Sequence, residues 1–83
     1  MLIKADDIKI GDLVLFSRYG DLKLCKVINI PNSKNTLFKL SYRRTPGDHP
    51  YEYTYSYVEP DASKHDRIEY RRLPGRDVWL VKR

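Results

Sequence analysis

The chain has 83 residues, of which 41% are hydrophobic and 33% charged, and its formal net charge is +5 at pH 7. A chain of this length forms one small domain with a limited core, so we predict a single β-barrel domain over residues 1–83. Its single cysteine, Cys25, excludes an internal disulfide and is typical of a reducing compartment. We expect Cys25 to be a small core residue.

No basic-then-apolar leader opens the sequence, and no uninterrupted run of apolar residues is long enough to cross a bilayer. We therefore expect a cytoplasmic protein with no membrane partner. The positive charge is concentrated near the end of the chain, because residues 64–83 hold seven Lys or Arg residues and three acidic ones.

Alternating apolar and polar residues, separated by turn residues, predict six short strands. They lie at residues 13–16, 22–30, 37–43, 51–58, 67–73 and 78–82. The fold class we predict is all-β, a small barrel or roll of five to six short antiparallel strands with at most one helical turn. The apolar pattern of the second strand shifts near Cys25, which indicates a β-bulge there. Asp61 is a candidate cap for the helical turn.

The fourth predicted strand carries four tyrosines at two-residue spacing, Tyr51, Tyr53, Tyr55 and Tyr57. Because side chains alternate between the faces of a strand, all four rings lie on one face. Their area would help a small core, although each buried hydroxyl needs a hydrogen-bond partner. The sequence therefore leaves two interpretations of the four tyrosines: they form a wall of the core, or they form an exposed platform for stacking. We expect Tyr55 and Tyr57 in the core and Tyr51 and Tyr53 near the rim.

A Tyr-Arg-Arg-x-Pro-Gly motif, which we call the repeated phrase, occurs twice, at residues 42–47 and 70–75. It predicts two hairpins of similar construction. In an up-and-down antiparallel sheet, the connections from strand one to two, three to four and five to six lie at the same end. That end would collect seven cations, Arg18, Lys23, Arg43, Arg44, Arg71, Arg72 and Arg76.

These cations suggest the kind of partner. A guanidinium fork binds phosphate through two hydrogen bonds, and Tyr51 or Tyr53 beside it could stack on a base. Charges at strand ends also keep sheet edges from pairing with other chains. We expect a small basic binding module whose partner is nucleic acid, RNA or DNA, or an acidic protein surface. The alternative is a protein-interaction module, such as a small viral or accessory protein that modulates a partner. The oligomeric state is open.

The first two predicted strands carry a family resemblance. Residues 8–16 with their Gly11-Asp12 corner, the turn at Gly20, and residues 24–28 resemble the opening hairpin of SH3-like small barrels of the Tudor and KOW types. The resemblance implies a binding barrel, and KOW-like members commonly sit on RNA, ribosomes or RNA polymerase. KOW motifs normally have further glycines in the turn where this chain has only Gly20.

The residue patterns of common catalytic and cofactor sites are absent from the sequence. Two histidines, His49 and His65, and one cysteine do not have the spacing of a zinc site. No Gly-rich phosphate loop or nucleophile motif is present. We therefore expect no enzymatic activity, no metal and no cofactor.

Overall fold

The computed structural model describes residues 1–18, 21–46, 53–55, 59–73 and 77–83, with the backbone alone at 16–18, 21–22, 45–46 and 53–55. The strands are β1 (Leu2–Lys4), β2 (Leu13–Arg18), β3 (Asp21–Asn29), β4 (Phe38–Pro46), β5 (Tyr53–Tyr55), β6 (Asp66–Arg71) and β7 (Asp77–Lys82). A single 3-10 turn, Ala5–Asp7, is the only helical element in this part of the chain. The all-β prediction is confirmed.

All strand pairs are antiparallel and form one sheet in the order β1-β7-β2-β3-β4-β5, with β6 paired to β4. Among the described strands no pairing joins the two ends of this order, so the sheet is not closed into a barrel. The short strand β1 adds to the six predicted strands. Its backbone pairs with β7, where Leu2 lies opposite Trp79.

The direction of β6 overturns the predicted up-and-down order. β5 pairs with β4 from Arg44 to Pro46, and β6 pairs with β4 from Phe38 to Arg43. Since both are antiparallel to β4, β5 and β6 run in the same direction. The end of β6 therefore points away from the β4–β5 connection, and the hairpin ends do not form one rim.

The core lies on one face of the sheet, where directly opposed residues share a side. Cys25 illustrates this, because it lies opposite Val14 on β2 and Tyr42 on β4. The core cluster contains Ala5, Ile8, Val14, Cys25, Val27, Phe38, Leu40, Leu73, Val78 and Leu80. Burial raises the pKa of the Cys25 thiol to about 12, so the thiol is protonated at neutral pH and is a poor nucleophile. Its predicted core position is confirmed.

The bulge in β3 lies at Ile28 and not near Cys25. Val27 pairs with Leu40 and Asn29 with Lys39, which leaves one extra residue on β3. An extra residue reverses the alternation of the strand, and Ile30 therefore packs against the core. Cys25 itself lies in the regular part of the β2–β3 pair.

Two turns hold the ends of the sheet. Gly11 has a φ of +93°, which a residue without a side chain adopts without strain, and its N–H donates to the Val27 carbonyl at 2.8 Å. The predicted helical turn after Asp61 does not form. Instead the Asp61 carboxylate accepts the N–H of Ser63 at 3.1 Å, in a local turn.

Candidate nucleic-acid interface

The two arginine pairs of the repeated phrase lie at opposite ends of the β4–β6 ladder. Arg43 lies opposite Asp66, and Arg71 lies opposite Phe38. The distance between these positions along β4 is about 17 Å, at roughly 3.3 Å for each residue of a strand. The two copies of the repeated sequence are therefore similar, but the fold does not bring their arginine pairs close to each other.

Arg43 holds the loop between β5 and β6 against the sheet. Its side chain is only 15% exposed, and its Nε donates to Asp66 Oδ1 at 3.0 Å. It also forms an ion pair with Asp61. The Asp66 carboxylate in turn accepts the Asp61 N–H at 3.0 Å. Arg43 is therefore committed to internal contacts and is not presented as a free surface cation.

Lys23 lies on the core side of the sheet. It is 2% exposed, its Nζ lies 3.3 Å from Glu69 Oε2, and its ammonium is 4.4 Å from the centroid of the Tyr42 ring. Glu69 also forms an ion pair with Arg71, at 2.9 Å. The expectation that Lys23 contributes to an exposed rim does not agree with this burial. Its two-residue spacing from Cys25 was the sequence signal for the core face.

The remaining predicted residues have different positions. Arg44 is half-buried, and its backbone N–H donates to the His65 carbonyl at 3.2 Å. Arg72 is exposed, and no ion pair involves it within the described part of the chain. The described part of the chain does not include Tyr51, Tyr57 or Arg76. It includes the backbone but not the side chains of Arg18, Tyr53 and Tyr55.

A different tyrosine is presented by the outer face of β6. Tyr70 is 53% exposed and lies directly opposite Lys39, whose Nζ is 6.0 Å from the centroid of the tyrosine ring. Ile68, two residues before Tyr70, is also exposed. We call Lys39, Ile68, Tyr70 and Arg72 the Tyr70 surface. The alternation of β6 could have indicated it, because Arg67, Glu69 and Arg71 occupy the other face.

A second exposed patch lies on the outer face of β1 and β7. Trp79 is 51% exposed, directly opposite the exposed Leu2, and Val81 on the same strand is also exposed. We call Leu2, Trp79 and Val81 the Trp79 surface. Exposed tryptophan is uncommon in a domain with a small core, since its ring is the largest apolar group available for burial.

A cavity of about 490 Å³ adjoins the Tyr70 surface. Its walls come from the 3-10 turn, the loop after β3, the start of β4 and the residues after β6. Apolar side chains make up most of the lining, among them Ile8, Ile30, Phe38 and Leu73. Asp6 and Arg72 are the charged residues that line it.

Comparison with protein-family models, with curated proteins and with solved structures finds no match. Within the described residues, no group of three His, Cys, Asp or Glu side chains could hold a metal ion. The same part of the chain has no helix of the length and apolar character needed to span a bilayer. The fold and its surfaces define a small, basic, antiparallel β-domain with an exposed tyrosine opposite a lysine.

Proposed function

We propose that this protein is a nucleic-acid-binding module and that it binds through the Tyr70 surface. The observation that carries the proposal is the half-exposed Tyr70 ring, which lies on the outer face of the sheet opposite Lys39. A tyrosine ring stacks on any base because every base has a π face, and each stack contributes about 1 to 3 kcal/mol. A phosphate beside the stacked base could then bind the ammonium of Lys39.

The charges around Tyr70 support the same partner. Arg72, two residues after Tyr70 in the chain, is exposed and forms no ion pair with a described residue. Lys39 approaches the tyrosine ring and no described carboxylate. A nucleic-acid strand carries counterions that are condensed around its phosphates. When Lys or Arg side chains bind those phosphates, the counterions are released, and this release drives association.

Removing the two cations of this surface should weaken binding and its dependence on salt. For the Lys39→Ala/Arg72→Ala variant, we expect the slope of log K against log salt to fall by up to about 1.4, because each phosphate contact on a single strand contributes roughly 0.7. Tyr70→Ala should weaken binding about 5- to 100-fold with an unchanged slope, and Tyr70→Phe should retain most of the affinity. Fluorescence anisotropy of labelled single-stranded oligonucleotides at several salt concentrations measures both quantities.

The matched control is the Lys9→Ala/Lys82→Ala variant, which removes the same charge from exposed positions outside the Tyr70 surface. We expect it to change the affinity only slightly. Equal losses in the two double variants would mean that net charge, and not this surface, determines binding. A wild-type protein that binds no oligonucleotide at low salt would refute the proposal itself.

A protein-interaction module is the second candidate, and the Trp79 surface favours it. Tryptophan is one of the residue types enriched among interface anchors, and here it lies beside two other exposed apolar residues. This function predicts that the tagged protein retains a stoichiometric protein partner after nuclease treatment. Trp79→Ala should lose that partner and Tyr70→Ala should keep it. Complete loss of bound partners on nuclease treatment would favour nucleic-acid binding instead.

A further inference from the structure

We infer that the cavity beside Arg72 is a pocket for one unpaired guanine base of the bound strand. The inference rests on the proposed function and names the substrate class of the same site. The cavity volume of about 490 Å³ lies within the roughly 300 to 1,000 Å³ that is usual for small-molecule sites. Arg72 lines this cavity and follows Tyr70 by two residues in the chain, so one strand could contact both.

The pocket combines apolar walls with two opposite charges. Ile8, Phe38 and Leu73 in its lining are buried core residues, so their positions are set by the fold and the walls are formed before a ligand arrives. Asp6 and Arg72 are exposed, and they form no ion pair with each other or with another described residue. Both charges are therefore available to a ligand that lies between them.

A nucleotide has the complementary distribution of groups. Its phosphate is an anion that the guanidinium of Arg72 can bind through two hydrogen bonds. Its base is flat and apolar on both faces, which suits walls of isoleucine, phenylalanine and leucine. The edge of the base carries N–H groups, and a carboxylate such as Asp6 accepts hydrogen bonds only.

The acceptor-only character of the carboxylate selects among the bases. Guanine has two adjacent N–H donors on its Watson–Crick edge, at N1 and N2, and a carboxylate can accept both with its two oxygens. Adenine and cytosine have an acceptor nitrogen beside the amino group, and that nitrogen would face the negative charge of Asp6. Thymine and uracil have one N–H between two carbonyl oxygens. Guanine is therefore the best partner.

The same edge makes the pocket specific for unpaired bases. In a duplex, N1 and N2 of guanine donate to cytosine, so the edge is occupied and the base is stacked inside the helix. Single strands, loops and ends expose this edge. We thus expect the protein to prefer single-stranded nucleic acid that contains guanine over a duplex of the same composition.

The test uses the full chain and thymine-rich single-stranded oligonucleotides that differ at one central position, which is guanine, adenine, thymine or an abasic site. The guanine strand should bind at least about tenfold more tightly than the other three. A tenfold change in the binding constant corresponds to about 1.4 kcal/mol, which a hydrogen bond to a charged group can contribute. Asp6→Asn should reduce this preference to about twofold or less.

The neighbouring carboxylate supplies the matched control. Asp7 belongs to the same 3-10 turn as Asp6 and is exposed, but it does not line the cavity. Asp7→Asn removes the same charge and should retain the full guanine preference. Thr36→Trp, at an exposed position of the cavity lining, should block the pocket and also remove the preference.

The possible results separate the two proposals. Equal binding of all four strands, with affinity still dependent on Tyr70, would overturn the guanine pocket and leave the proposed function standing. A guanine preference that persists in Asp6→Asn would also overturn the pocket. If no strand binds, the proposed function fails, and the pocket fails with it.

Discussion

Replacing Glu69 with glutamine should destabilise the fold by about 2 to 4 kcal/mol, because a buried ammonium would lose the attraction of an adjacent carboxylate while its desolvation cost remains. Lys23 is the charge concerned. Its side chain is 2% exposed, and its ammonium lies 3.3 Å from the Glu69 carboxylate. Glutamine retains the shape and one acceptor oxygen of the side chain but removes the negative charge. The measurement is urea unfolding at pH 7, followed by the fluorescence of Trp79.

A double-mutant cycle separates the charge from the shape. Lys23→Met has a similar side-chain volume and should be milder than Glu69→Gln, because Glu69 still has its ion pair with Arg71 at 2.9 Å. The Lys23→Met/Glu69→Gln variant has neither charge of the pair, so it should recover part of the stability lost in Glu69→Gln. Strictly additive losses would contradict a buried charge pair.

The single variant Lys23→Met also tests the assignment of Lys23 to the core. Because the Lys23 ammonium is buried, Lys23→Met should bind oligonucleotides with the affinity and salt slope of the wild-type protein. A lower salt slope in Lys23→Met would show that this ammonium contacts phosphate.

Replacing Asp12 with alanine should destabilise the fold by about 2 to 4 kcal/mol, since it removes several hydrogen bonds to a buried carboxylate. Asp12 is 1% exposed. Its carboxylate accepts the Lys9 N–H at 2.8 Å and two hydrogen bonds from the Arg83 guanidinium, both at 3.1 Å. These contacts link the corner before β2 to the residue that follows β7.

The pH dependence of stability should identify this carboxylate. The hydrogen bonds from Arg83 are the main reason that the pKa of Asp12 lies below its ordinary value of 3.8, and burial acts in the opposite direction. A carboxyl whose pKa is lowered by folding stabilises the protein above its unfolded pKa. This contribution is lost as the pH falls below about 4, through the folded pKa.

Asp12→Asn is the variant that tests this, because asparagine keeps the size of the side chain but does not titrate. Its stability should fall less than that of the wild-type protein between pH 7 and pH 3, as measured by urea unfolding at each pH. Asp7→Asn is a suitable control, since the Asp7 side chain is exposed. An acid-induced loss of stability in Asp12→Asn equal to that of the wild-type protein would exclude Asp12 as a cause.

The class of fold and most strand positions followed from local patterns of apolar residues. Phe38, Leu40 and Tyr42 alternate with polar residues, and all three pack in or against the core. Burial of one face imposes a period of two on a strand wherever the strand lies in the sheet. The shift in the pattern of β3 indicated a bulge, but the exact position at Ile28 depended on the register with β4.

The candidate site was less predictable because it depends on which strands are neighbours. The repeated phrase predicted that Arg43 and Arg71 share a rim, and the pairing of β6 with β4 separates them. Lys23 has the same charge as Arg72 in the sequence, yet one is buried and the other exposed. The carboxylates that pair with Lys23 and Arg43, Glu69 and Asp66, come from distant parts of the chain, so the sequence around each cation did not indicate its structural role.

By itself, the sequence determined an antiparallel all-β chain with a core cysteine and an excess of positive charge, since alternation and composition are local properties. Only the tertiary structure decided that the exposed Tyr70 lies opposite Lys39 and that Asp6 shares a cavity with Arg72. The physical reason is that strand order and register are set by packing between segments far apart in the chain. A pattern within one strand predicts which face a residue occupies but does not predict which strand lies beside it.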